Sequence, residues 1–233
     1  WLKLPGSPGC RVLRGTMAET AEESGATAPS RPPKHELENT WCLWVHHKPG
    51  SQKDKAWNEN QREVHSFAMV EDFWCMWHHA YTPSRFESVD YSLFKKGVAP
   101  AWEDPALKNG GRWVIKLEKV KAQSLDNLWL SLNLALIGEA FHDHGGEVVS
   151  GAIVSVRNRA SKIALWLSTS KDEKQIMAIG REYRSVLAAT PGLEDLAMKE
   201  FTFEDFRKQS MTFRLKETEA VAQSAPAAAG QFQ

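Results

Sequence analysis

Apolar residues recur along this chain with two different periods, and each period predicts a different kind of element. Residues 39–45, Asn-Thr-Trp-Cys-Leu-Trp-Val, alternate so that Trp41, Leu43 and Val45 share one face, the pattern of a half-buried strand. Residues 61–67 read as a second, more polar strand and 91–95 as a short one. In 112–120, Trp113, Ile115 and Leu117 face a core while Arg112 and Lys116 face away. Helical spacing predicts helices over 70–81, stopped by Thr82-Pro83, and over 124–141. The first has no good cap, since Ala68 and Met69 stand where Ser, Thr or Asp would serve. The second carries two apolar stripes: Leu125, Trp129, Leu132 and Leu136, then Leu130, Leu134, Ile137 and Phe141. A helix on one sheet needs only the first stripe, so the second is covered either by the same chain or by a partner.

Residues 148–156 and 162–168 predict a hairpin around 158–161. Pairing Arg157 with Lys162 sets Val154 and Val156 against Ile163 and Leu165, and leaves Arg157, Lys162 and Trp166 together on the opposite face. Ser170 then reads as the cap of a third helix, with Glu173 at the capping-box position and Ile176, Ile179, Tyr183 and Val186 on its buried side. Residues 201–206 and 211–215 add strands. Strands interleaved with long helices give the α+β class: a mainly antiparallel β-sheet, helices on one side and the other side open.

Composition narrows the function. The 233 residues hold 29 Lys plus Arg against 29 Asp plus Glu, so no global field draws in nucleic acid, and any phosphate site must be local. With 42% apolar residues and no membrane-length apolar run, a globular protein without a membrane span is expected. Cys10, Cys42 and Cys75 lack metal-ligand spacing and read as reduced thiols of a cytoplasmic or nuclear protein. One folded domain is expected over 35–216. Residues 1–34, rich in Ala, Glu, Thr, Ser and Pro after Met17, and the Ala- and Gln-rich 217–233 cannot bury enough surface to order themselves. The chain opens on Trp1, and the residues before Met17 are a candidate non-native leader.

Two of the ten tryptophans fit neither period. Trp41, Trp44, Trp113 and Trp129 suit a core. Trp57 lies in Gln-Lys-Asp-Lys-Ala-Trp-Asn-Glu-Asn, and Trp102 in Pro-Ala-Trp-Glu-Asp-Pro, held out of regular structure by Pro100 and Pro105. Indole rings on polar loops meet flat ligands or partner proteins more often than cores. Glu103 adds an acceptor beside the second ring, so the combination suits a planar, cationic, donor-bearing heterocycle. Arg112, Arg157, Lys162 and Trp166 would share the open face below these loops. By themselves Arg157, Arg159 and Lys162 also describe an ordinary solvated turn. The run Phe141-His-Asp-His-Gly-Gly-Glu matches no closed metal site, and its glycines read as a helix stop. No nucleophile–base arrangement stands out, so binding without catalysis and without a cofactor is expected.

The motifs His35…Trp41…Trp44, Val70-Glu-Asp-Phe-Trp74, Asp90-Tyr-Ser-Leu-Phe, Pro100-Ala-Trp-Glu-Asp, Gly110-Gly-Arg-Trp113, Leu136-Ile-Gly-Glu139 and Val156-Arg157…Lys162…Trp166 occur in one order. Together they make residues 35–187 resemble the eukaryotic translation initiation factor 4E family, whose members bind the mRNA 5′ cap. The resemblance implies a curved antiparallel sheet backed by three long helices on its convex face, with the cap in the concave face. It implies that Trp57 and Trp102 sandwich the 7-methylguanine, Glu103 accepts from its N1–H and N2–H, and the Trp102 backbone N–H donates to O6. Trp166 would touch the N7 methyl group. Arg112, Arg157 and Lys162 would meet the phosphates, with Arg159 where many members have lysine.

On the convex face, His35, Val70, Trp74, Leu130, Leu134, Ile137, Gly138 and Glu139 match the surface where the family binds a Tyr-x4-Leu-Φ helix. Such helices come from the scaffold initiation factor 4G or from inhibitory binding proteins. The expected partners are therefore capped mRNA and one such protein, the chain being a monomer outside that complex. The likeness thins in the loop 81–89 and ends after Leu187, where the chain becomes acidic and Phe-rich. A cap-binding repressor, a cap-cleaving enzyme and a sequence-tolerant single-strand RNA module are the competing readings. The enzyme lacks metal-binding carboxylates, and the RNA module lacks positive charge.

Overall fold

The segments with strand period form β1 (Glu36–His47), β2 (Gln61–Met69), β3 (Val89–Lys95), β4 (Gly111–Glu118), β5 (Val149–Ser155), β6 (Ala160–Leu167), β7 (Phe201–Asp205) and β8 (Ser210–Leu215). The segments with helix period form α1 (Val70–His79), α2 (Ala122–Ile137) and α3 (Glu173–Ala188). The computed structural model describes residues 33–47, 61–86, 88–118, 120–190, 199–208 and 210–215. The strands make one curved, wholly antiparallel sheet in the order β2-β1-β3-β5-β6-β4-β7-β8, with the three helices on one face. Among the described residues, no helix is long and apolar enough to cross a membrane.

The inward halves of the strands and the inner faces of the helices share one core. Trp41 and Leu43 of β1, Trp113 and Ile115 of β4, and Ile163 and Leu165 of β6 meet Phe73 of α1, Trp129 and Leu132 of α2, and Ile179 and Tyr183 of α3. Burying each such large side chain contributes about 1.5–3 kcal/mol. Trp113 is completely buried, and its indole N–H donates to the Ile176 carbonyl oxygen at 3.0 Å. Gly180 lies over that ring. A Cβ there would sit 2.6 Å from its carbons, so the missing side chain is what lets α3 lie close on the sheet.

Three local expectations change, and one left open is decided. In the hairpin, Lys162 pairs with Ser155, not Arg157, which moves the register by two residues. An even offset preserves which face each residue occupies, so the apolar alternation cannot detect it. The third helix is capped by Asp172, whose carboxylate accepts from the backbone N–H groups of Lys174 (2.9 Å) and Gln175 (3.2 Å). Ser170 instead donates its hydroxyl to Asp205 at 2.9 Å. Trp44 is half-buried and lies on the strand face opposite Leu43, outside the helix-backed core. The second stripe of α2 is largely covered by the chain itself: Phe141 and Ile137 are 2% and 7% exposed, Leu130 packs on the core, and only Leu134 is exposed.

The missing cap of α1 is supplied from a distance. The Val70 N–H donates to the His35 carbonyl oxygen at 2.9 Å, and Glu71 in the first turn accepts from the His35 backbone N–H at 3.0 Å. The segment before β1 thus does what Ala68 and Met69 cannot.

Candidate functional site

Antiparallel pairing aligns the outward residues of successive strands into rows across the open face. The first row reads His46, Asp90, Ser155, Lys162, Lys116. The second reads Trp44, Ser92, Ile153, Ala164, Val114, Thr202, and the third Cys42, Phe94, Gly151, Trp166, Arg112, Glu204. This face is not simply polar. Phe94, Leu107, Val114, Ile153, Ala164 and Trp166 form a second apolar cluster, with Val98 and Phe206 against it.

Gly151 makes the third row possible. It stands between Phe94 and Trp166, and a Cβ there would collide with the Leu93 carbonyl and the Phe94 ring. Without one, the Phe94 and Trp166 rings meet edge to face at 5.7 Å. Phe206 also packs on Trp166, with ring centroids 4.7 Å apart, and the Arg112 guanidinium lies 5.5 Å from the same ring centroid. Trp166 is left 3% exposed, so it is the floor of the cleft and offers a ligand almost no surface.

The loop from β3 to β4 leaves the floor at Val98 and returns through Leu107, which is completely buried in the apolar cluster. Pro100 and Ala101 point inward, whereas Trp102 is 54% exposed and Glu103 is exposed with it. Asp104 fixes this shape. Its two carboxylate oxygens accept from the N–H groups of Ala99 (2.9 Å) and Ala106 (2.8 Å), closing the loop on either side of the tip. Trp102 therefore stands out because its neighbours are pinned, which agrees with its place outside both apolar periods.

Two of the expected phosphate-site cations carry counter-ions. Arg157 forks onto Asp90, with Nη2 2.8 Å from Oδ1 and 3.1 Å from Oδ2, while Nη1 donates to the carbonyls of Val156 (2.7 Å) and Val89 (3.2 Å). His46 approaches the same carboxylate, with Nδ1 3.5 Å from Oδ2. Arg112 pairs with Glu204 at 2.7 Å. Lys162 and Arg159 are exposed. Lys116, directly opposite Lys162, is exposed as well, and like charges so placed favour an anion between them. Trp57 lies outside the described residues.

On the helical face, His35 Nδ1 lies 2.6 Å from Glu71 Oε1. Hydrogen bonds from His35, then from backbone N–H groups, pull the exposed Glu71 carboxyl down to about 2. Val70 and Trp74 are half-buried, and the Trp74 ring sits 5.1 Å from Phe73 and 5.9 Å from His78. Gly138 is exposed just beyond α2, and Glu139 adopts a left-handed φ of 53° while accepting from the Asn39 amide at 2.8 Å. The stretch from His35 to Asn39 thereby touches both the start of α1 and the end of α2. Ile137 lies beneath this surface and Leu134 on it.

The family model of eukaryotic initiation factor 4E matches residues 36–220. The chain belongs to the eukaryotic initiation factor 4E family. It is 41% identical over 182 residues to the fruit-fly (Drosophila melanogaster) eukaryotic translation initiation factor 4E1, covering 72% of this chain and 68% of that one. To the human (Homo sapiens) factor it is 40% identical over 179 residues, covering 76% and 81%. Among solved structures it is similar to Ascaris suum eIF4E-3 in complex with an m2,2,7G cap, at a TM-score of 0.68 and 35% identity, covering 78% of this chain and 97% of that one. It is also similar to Caenorhabditis elegans eIF4E-3 in complex with the 4E-binding protein Mextli, at 0.69 and 30%, covering 78% and 100%.

The family match runs to residue 220, so the likeness does not end at Leu187 as the motifs alone suggest; β7 and β8 continue the sheet within the matched stretch. Sequence reading assigned no role to Asp90, Asp104, Phe94, Phe206, Lys116 or Glu204. Only Lys116 had a usable signal, since the alternation over 112–118 puts it on the Arg112 face. Among the described residues, no group of three His, Cys, Asp or Glu side chains could hold a metal.

Proposed function

We propose that this member of the initiation factor 4E family binds the 7-methylguanosine cap of mRNA on its concave face and recruits it to a scaffold initiation factor docked on its helices. The reading is of a binding protein rather than an enzyme. The observation that carries it is the exposed Trp102–Glu103 pair, presented by a pinned loop beside the row holding Trp166 and Arg112. Related solved structures in complex with an m7G or an m2,2,7G cap support it.

N7 methylation makes the guanine cationic, so Trp102 and Trp57 would gain a cation–π contribution of up to about 2 kcal/mol on top of roughly 1–3 kcal/mol of stacking per base. The Glu103 carboxylate would accept from N1–H and N2–H, a donor pair adenine lacks, and the Trp102 backbone N–H would donate to O6. Arg112, Arg157 and Lys162, with Arg159 at the rim, would meet the phosphates. Trp166 would support this arrangement from below, its exposure being too small for much contact with the N7 methyl group. On the other face, Trp74 and Leu134 with Val70, Leu130, His35, Gly138 and Glu139 would take a Tyr-x4-Leu-Φ helix from factor 4G or an inhibitory binding protein, above Ile137. The proposed setting is the cytoplasm, and the nucleus as well.

The test is retention on 7-methyl-GTP resin with soluble competitors. Release by 7-methyl-GTP at concentrations where GTP has no effect is expected. Equal competition by the two nucleotides would defeat the proposal.

A further inference from the structure

We propose that Glu204 is a built-in competitor for the cap's phosphates, setting how much this protein gains from each additional phosphate; the proposal rests on the cap-binding reading above. The sheet register puts Arg112 between two partners on neighbouring strands, with Trp166 directly opposite on β6 and Glu204 directly opposite on β7. The guanidinium uses both. It lies 5.5 Å from the Trp166 centroid, and it reaches Glu204 Oε2 through Nε at 2.8 Å and Nη2 at 2.7 Å. Its donors are thus turned to a carboxylate of the same chain, in the geometry they would offer a phosphate oxygen.

The two arginine–carboxylate pairs on this face differ in how easily they can exchange. Asp90, which holds Arg157, is buried, its side chain 11% exposed, and Arg157 is further fixed by two backbone carbonyls. Arg112 and Glu204 are 38% and 40% exposed in their side chains. An ion pair that open to water is weak and gives way readily to a more highly charged anion. The backbone that carries Glu204 is held beside Arg112. Its strand, β7, is fixed by pairing to β4 and β8, and Phe206 two residues on packs against Trp166. When phosphate takes Arg112, the carboxylate stays beside it as an unpaired negative charge. Each phosphate that reaches this end therefore gains less than it would without Glu204, and the protein leans more on the base and less on the phosphate chain.

The experiment measures affinities of the full chain for 7-methyl-GMP and 7-methyl-GTP by tryptophan fluorescence, before and after Glu204→Gln, alone and together with Arg112→Gln. With the single Glu204→Gln change, the triphosphate-to-monophosphate affinity ratio should rise by about two- to fivefold, the range open to an exposed ion pair. In the Arg112→Gln background the same change should leave the ratio unmoved. A ratio that stays constant or falls on Glu204→Gln overturns the proposal, the second case meaning that Glu204 merely holds Arg112 in place. An equal rise without Arg112 also overturns it, because the effect is then a general field. If the unaltered protein binds neither nucleotide, the cap-binding reading fails first.

Discussion

The side-chain amide of Gln61 donates to the carbonyl oxygen of Pro100 at 3.3 Å. Gln61 opens β2 and follows Trp57 by four residues in the sequence, and Pro100 precedes Trp102 by two. One hydrogen bond thus ties the strand that follows the first indole to the loop that presents the second. The start of β2 is therefore held against the Trp102 loop, a closeness that the proposed two-sided clamp on a flat base requires.

Trp102→Ala and Glu103→Ala test the clamp and the edge reader separately. Trp102 is exposed and its loop is held by Asp104 and Leu107, so its removal should leave the fold intact while weakening binding of 7-methyl-GTP by about 1–3 kcal/mol. Glu103→Ala should cost a similar amount and also narrow the gap between 7-methylguanine and 7-methyladenine nucleotides. Titration followed by tryptophan fluorescence reads both. An unchanged affinity in either variant removes that residue from the site.

Trp74 is the anchor expected of the helical face. It is half-buried against Phe73 and His78, so truncation deletes a contact platform more than core volume. Trp74→Ala should weaken binding of a Tyr-x4-Leu-Φ peptide by at least about 2 kcal/mol, measured by calorimetry. Leu134→Ala, at the one exposed position of the second α2 stripe, should weaken it by less. Wild-type peptide affinity in Trp74→Ala would move the partner surface elsewhere.

Alternation and helical spacing disclosed the elements, the antiparallel sheet and the side of each strand, because burial imposes those periods directly. They could not disclose what depends on an even shift or a distant partner. The hairpin register moved by two without exposing one apolar residue. Nothing near Arg112 or Arg157 announces Glu204 or Asp90, which lie 92 and 67 residues away in sequence. The cap of α1 came from His35, on the far side of two strands. Trp102 was legible for the opposite reason: its lack of any period was itself the signal. The apolar floor around Trp166 was hidden because Phe94, Val114 and Phe206 each look like ordinary sheet residues, and their common face appears only once the strands are ordered.

The two cysteines of the described residues should differ sharply in reactivity. Cys42 is buried on β1, and burial first, with the Glu63 carboxylate adding to it, pushes its thiol up to about 11. At pH 8 it is almost entirely neutral and shielded, whereas Cys75 on α1 is exposed. Iodoacetamide at that pH should modify Cys75 well before Cys42, read by site-resolved mass spectrometry. Equal rates in the folded protein would contradict the packing of β1 between β2 and β3.

Asp205 fastens the end of β7 to the loop before α3 and should set part of the acid sensitivity. It is 2% exposed and accepts from the Ser170 hydroxyl at 2.9 Å, the Arg207 backbone N–H at 2.9 Å and the Arg207 guanidinium at 3.0 Å. Burial pushes its carboxyl up, but the bonds from Arg207 and Ser170 outweigh that and hold it below the ordinary 3.8. A carboxyl lowered on folding contributes stability that is fully present above its unfolded value and is lost as pH falls through the folded one. Asp205→Asn removes the charge and leaves Arg207 without its counter-ion, so it should destabilise the protein by about 1–3 kcal/mol at pH 7. The gap between variant and wild type should stay constant down to about pH 5 and shrink below pH 4. Urea unfolding of both proteins across that range measures it. A gap that persists unchanged at pH 3 would mean that the asparagine disturbs packing rather than charge.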